Sequence, residues 1–114
     1  WAMPGGWAEV NELPSRPIQR EVLEESGYDV RAERLIYLHD AAMHSRPDRA
    51  FHAYTIFFLC KLLGGQPATS IETAEVGFFP EGALPPLSRS RNTEKELAKA
   101  FAAHRNPDAP ACFD

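Results

Sequence analysis

Residues 6–28, GWAEVNELPSRPIQREVLEESGY, constrain this chain more than any other stretch. A glycine is followed after five residues by Glu12. After seven more comes the run Arg20-Glu21-Val22-Leu23-Glu24-Glu25-Ser26-Gly27. Glu21, Glu24 and Glu25 are spaced i, i+3 and i+4, which puts three carboxylates on one face of a helix. At ~5 Å and an effective dielectric near 20, two such groups repel by roughly 3 kcal/mol, so the face needs a counter-charge. Arg20 supplies part of it, one turn before Glu24 and next to Glu21. A divalent cation with oxygen ligands answers the need better, and Mg²⁺ or Mn²⁺ suits carboxylates plus water. Gly27 falls where a helix end takes the left-handed conformation. A solvated acidic face is the ordinary reading of EVLEES alone, but Gly5-Gly6, Glu12, Arg20 and Gly27, all in register, argue against it.

The rest of the composition sets bounds. The 114 residues suffice for one domain near the small end of sizes that bury an adequate core. With 44% hydrophobic and 25% charged residues, the chain has the make-up of a globular protein. Its net charge of −4 argues against a nucleic-acid binder, which would carry a basic face. No apolar run nears the ~20 residues of a membrane span, so no membrane partner is expected. Two cysteines, Cys60 and Cys112, make neither a disulfide framework nor a metal spacing, and a cytoplasmic setting is expected.

Along the chain, Pro4-Gly5-Gly6 is a permissive turn whose carbonyls can approach a ligand, and residues 7–10 alternate weakly as a short strand. A helix is expected from Arg16 or Pro17 to about Glu25, with Ser15 as a cap and Ile18 and Val22 facing the core. Pro17 stands against an earlier start, because a proline at the fourth helical position breaks a real hydrogen bond. Residues 28–40 are read as a strand and 41–50 as a polar loop. Residues 51–63 form the strongest strand, expected at the centre of the sheet and closed by a Gly64-Gly65 turn. Residues 72–79 are read as a further strand. Thr93-x-x-Glu96 is a capping box for a last helix to about His104, with Leu97, Ala100 and Phe101 on one face. The tail, about residues 105–114, is expected to be loosely held. A mixed β-sheet with helices on its faces, an α/β (α+β) class, is the simplest architecture.

The 6–28 pattern resembles the signature of the Nudix hydrolases: Gly, five residues, Glu, seven residues, Arg-Glu-aliphatic-x-Glu-Glu-x-Gly-aliphatic. Every fixed position matches except the last, where Tyr28 replaces an aliphatic residue; Pro17 departs from the small residues usual in that helix. The resemblance implies a Nudix-type α/β/α sandwich. It also implies a sheet strand before the Trp1-Ala2-Met3-Pro4-Gly5-Gly6 turn, so the chain is expected to lack its N-terminal strands.

For chemistry the resemblance implies hydrolysis within the diphosphate of a nucleoside diphosphate linked to another group, with Mg²⁺ or Mn²⁺ as cofactor. Glu24 and Glu25 match metal ligands, Glu21 a ligand or the general base, and Arg20 the arginine that orients the glutamates. The Gly5 carbonyl is expected to complete the metal shell, with Glu12 bracing loop and helix or contacting metal through water. Glu75, and behind it Glu72, lie where Nudix proteins often carry a further ligand or base. Trp7 is a candidate base-stacking residue. His39, His44, His52, Arg46 and Arg49 are candidate phosphate or base contacts, with surface roles as the default. Trp1-x-x-PGGWAEVNE and the later Phe51-His52, FFLC and IETAEVGFF stretches look like bacterial ADP-ribose or related nucleoside-diphosphate-X pyrophosphatases, and a homodimer is common in the family. Two alternatives stand beside this: a nucleoside triphosphate sanitising pyrophosphatase and a non-catalytic nucleotide-binding module.

Overall fold

The structure, a computed structural model, describes residues 1–44 and 50–114. Arg46 and Arg49 lie outside the described residues, as does half of the expected loop at 41–50. In chain order the elements are helix α1 (Ser15–Ser26), strand β1 (Tyr28–Asp40), the short helix α2 (Ala41–His44), strand β2 (Tyr54–Gly65), a 3₁₀ turn (Glu81–Ala83), helix α3 (Glu94–Arg105) and strand β3 (Cys112–Phe113). The three strands make one sheet in the order β2-β1-β3. β3 runs parallel to β1, with Tyr37 opposite Cys112 and Leu38 opposite Phe113. β2 runs antiparallel to β1: Ala41 N–H donates to the Ala53 carbonyl at 3.0 Å beside one end, and Gly65 lies against Tyr28 at the other. The sheet is therefore mixed and the class α+β, as expected. Among the described residues no helix is long and apolar enough to cross a membrane.

The contacts divide the chain into two compact units, one of Pro4–Glu33 with Cys60–Phe79, the other of Trp1–Met3, Arg34–Leu59 and Pro80–Asp114. In the first, α1 begins at Ser15 after Pro14, which is already helical at φ −55°, and no side chain caps it. Pro17 is then the third helical residue, and its missing N–H is one of the four that no helix start can satisfy. The expected penalty is absent, and the helix starts one residue earlier than expected. At the other end Gly27 takes φ +80° and donates its N–H to the Leu23 carbonyl at 2.9 Å. The Ser26 carbonyl accepts from Ala68 N–H at 2.9 Å. Gln19 Oε1 accepts the Ala32 N–H at 3.1 Å, which fixes α1 against β1.

The second unit packs α3 over its part of β1. The capping box is complete: Glu96 N–H donates to Thr93 Oγ1 at 3.3 Å and Thr93 N–H to Glu96 Oε2 at 2.7 Å. Leu97 is buried beneath it, and Tyr37 stacks on Phe57 with ring centroids 4.2 Å apart. Arg34 reaches the far end of α3 and donates to the carbonyls of Ala103, Asn106 and Pro107.

Five expectations need correction. Residues 7–10 form no strand; they lead into a turn in which Asn11 adopts φ +64°. Residues 41–44 close into a helical turn. β2 is an edge strand and β1 the central one, because position in a sheet is set by which backbones pair and not by how apolar a strand is. Residues 72–79 are coil, with Ile71 and Phe78 exposed; a β-rich composition makes no strand without a partner ladder. The tail is tied down: besides pairing as β3, Asp114 accepts the Asp40 N–H at 2.8 Å.

Candidate functional site

In the unit that holds α1, helical spacing puts the Arg20, Glu21, Glu24 and Glu25 side chains beside the Pro4-Gly5-Gly6 turn. Arg20 sits among the carboxylates. Its guanidinium donates to Glu21 Oε1 at 3.1 Å and to Glu12 at 3.2 and 3.4 Å, and lies 3.9 Å from Glu24 Oε2. A further N–H reaches the Trp7 carbonyl at 3.4 Å. These bonds raise the Arg20 pKa, the Glu12 hydrogen bond most of all. Glu12 is held in turn by its own loop. Glu9 N–H donates to Glu12 Oε2 at 2.9 Å, and the Glu9 carbonyl accepts Glu12 N–H at 3.2 Å. The backbone donor at Glu9, then Arg20, lower the Glu12 pKa. Glu12 thus braces loop to helix through Arg20.

The glycine turn grips the other two glutamates. Gly5 N–H donates to Glu25 Oε2 at 3.2 Å. Gly6 lies directly on Glu21: a Cβ there would stand 2.9 Å from Glu21 Cγ and would overlap its carboxylate. Only glycine leaves room for that carboxylate to reach Arg20.

The donors grouped here are carboxylate oxygens, the chemistry that suits a hard divalent ion, and Glu24 is the most open of those paired with Arg20. Among the described residues no three His, Cys, Asp or Glu side chains converge as a ligand set. Arg20 stands among these carboxylates as their counter-charge, and rotation of glutamate side chains, the exposed Glu24 among them, would be needed to gather them about an ion.

The other expected site residues are dispersed. Trp7 is exposed beside the turn. Glu72 and Glu75 are exposed on coil, where Glu72 N–H donates to Ser70 Oγ at 3.3 Å. His44 belongs to the second unit, where its Nε2 lies 2.7 Å from Asp114 Oδ1. Sequence reasoning missed the Trp7 carbonyl, the Glu9 amide and Gln19. The first two are backbone groups and leave no mark in the residue pattern, whereas Gln19 adjoins Arg20 and was legible as a polar residue on the inner side of the helix.

A protein-family model described as NUDIX domain matches residues 1–101. A Bacillus subtilis (strain 168) protein described as a candidate ADP-ribose pyrophosphatase, YjhB, is 43% identical over all 114 residues, which cover 55% of its own length. Among solved structures, a UDP-X diphosphatase superposes with a TM-score of 0.87 at 31% identity, over 100% of this chain and 55% of that one. An ADP-ribose pyrophosphatase of Streptococcus suis 89-1591 gives 0.87 at 35% identity, over 100% of this chain and 81% of its own. The chain spans about half the length of the curated relatives it matches.

Proposed function

The chain belongs to the Nudix family, and on that premise we propose that it is a divalent-metal-dependent pyrophosphohydrolase cleaving the diphosphate bridge of a nucleoside diphosphate joined to a second moiety, ADP-ribose first among them. The observation that carries the reading is the acidic face of α1, with Arg20 donating to Glu12 and Glu21 and with the Gly5-Gly6 turn closed over Glu21 and Glu25. A diphosphate repels hydroxide, so a site that cuts it must neutralise phosphate charge and hold a water in line. Glu24, Glu25 and Glu21 would hold a Mg²⁺ or Mn²⁺ ion, which would supply that neutralisation and lower the pKa of a bound water.

The chain's own groups do the rest. Arg20 orients Glu21, and Glu21 either joins the ligands or takes the proton of the attacking water. Glu12 keeps Arg20 in place, and the Gly5 amide keeps Glu25 turned toward the turn. Trp7, exposed next to this face, is placed to stack on a base. Glu75, on coil in the same unit as α1, is a candidate further ligand. Residues 1–114 act as one Nudix domain on a small nucleotide, in a cytoplasmic setting and as a homodimer.

Similarity to proteins described as ADP-ribose pyrophosphatases and to a UDP-X diphosphatase supports a nucleoside-diphosphate-X substrate over a triphosphate. Product analysis tests the proposal. ADP-ribose incubated with the chain and Mg²⁺ or Mn²⁺ should yield AMP and ribose phosphate, and none when the cation is chelated. Release of pyrophosphate from nucleoside triphosphates, with ADP-ribose untouched, would overturn the substrate class.

A further inference from the structure

The second unit contains polar groups that the α1 site does not use. Tyr37 and His39 are 1% and 2% exposed, and among the described residues the Tyr37 hydroxyl and both His39 ring nitrogens have no hydrogen-bond partner. Glu96 Oε1 comes within 3.5 Å of His39 Nε2, inside ion-pair reach but outside hydrogen-bond geometry. Buried polar atoms are costly to leave unpaired, and their presence points to something polar beside them. His39 and Lys99 form a wall shared by two cavities. The smaller, of about 40 Å³, adjoins Tyr37 and is of the size that water fills. The larger, of about 220 Å³, is also lined by His44, Thr93, Lys95 and Glu96, and has room for a ligand.

The donor count decides what kind of ligand fits. Of the acidic groups at these walls, Glu96 Oε2 is engaged by Thr93 N–H and Asp114 by His44 and by Asp40 N–H, while Glu96 Oε1 stands 3.5 Å from His39 Nε2. Among the described residues Lys95 and Lys99 take part in no ion pair, and Lys99 Nζ lies 5.1 Å from the Tyr37 ring centroid. At the larger cavity two ammonium groups are thus unspent donors, set against one imidazole nitrogen free to accept, while Tyr37 lines the smaller one. Such a wall calls for a group rich in acceptor oxygens that also carries one hydroxyl. Burial, then His44, keep the His39 pKa below its ordinary value, which leaves the imidazole neutral and able to accept.

We propose that the larger cavity binds a phosphate group, free or as a phosphomonoester, between Lys95, Lys99 and the His39 imidazole. The test is a titration of the metal-free protein, at pH 7 and constant ionic strength, with inorganic phosphate and with ribose 5-phosphate, followed by the ring ¹⁵N shifts of His39. Saturable shifts with either probe support the site, and the probe that binds more tightly identifies the source. Removing one lysine at a time, as Lys95→Gln or Lys99→Gln, should weaken binding by about tenfold each. Both lysines are exposed, so neither change threatens the fold. Glu24→Gln, on α1, should leave the titration unaltered. Absence of a saturable shift with both probes, or a response that survives in the double lysine variant, overturns the proposal.

Discussion

Replacing Gly6 with alanine puts one methyl group where the structure has room for none. The new Cβ would stand 2.9 Å from Glu21 Cγ and overlap the carboxylate itself. The obstructed atoms are the far end of a flexible side chain, so Glu21 yields by rotating and the backbone stays in place. An off-rotamer side chain costs about 0.5–1.5 kcal/mol. For a domain of this size that is a fall in Tm of about 4 °C per kcal/mol. The effect on turnover is larger, because the rotation takes Glu21 Oε1 away from Arg20, to which it is bonded at 3.1 Å. Misplacing a reacting group by ~1 Å costs on the order of 10²-fold in rate. Gly5 provides the control. A Cβ there meets nothing within 4 Å, and its amide still donates to Glu25. Steady-state hydrolysis of ADP-ribose with Mg²⁺, beside thermal melts, should show kcat down by about a hundredfold for Gly6→Ala and nearly unchanged for Gly5→Ala. Equal rates in the two variants would refute the reasoning that Gly6 exists to seat Glu21.

Other consequences follow from single features. Gly27→Ala forces a side chain into φ +80° and against Ala68, and should lower stability by about 1–2 kcal/mol or more in chemical denaturation. Thr93→Ala removes half of the α3 capping box and should cost about 1 kcal/mol, read in the same way. His39 is held neutral, its pKa lowered by burial. The unfolded chain therefore takes up its proton first as pH falls below about 6.5, and stability drops from there toward the folded-state pKa. Urea midpoints measured from pH 7.5 down to 5.5 should fall in the parent, and His39→Gln should flatten the slope in that window.

Much of this was legible in the residues, where a local rule governs. The strand 28–40 ended where the alternation ended, Thr93 and Glu96 announced their own helix, and Gly27 announced the close of α1. On the α1 face Arg20 met Glu21 and Glu12 as charge required, whereas Glu21, Glu24 and Glu25 share the helix without converging as a ligand set among the described residues. What failed depended on partners. Residues 72–79 have the composition of a strand but pair with none, and β2 is the more uniformly apolar strand yet lies at the edge. Cys112 and Phe113 join β1 through two residues, too short a stretch to leave a periodic signal. Pro17 was misjudged by one position, and that position decides whether its missing N–H matters.

The claim at the centre is that the Glu24 and Glu25 carboxylates of α1 serve hydrolysis of a diphosphate and do not merely line a solvated helix. Turnover of ADP-ribose at saturating Mg²⁺ by Glu24→Gln and Glu25→Gln, beside the parent and with melting curves for all three, tests it most directly. Each substitution is expected to lower kcat by at least about a hundredfold, the scale of losing a group that acts in the transition state, with the melting temperature held or raised by relief of carboxylate repulsion. Parent-like turnover in both variants would contradict it.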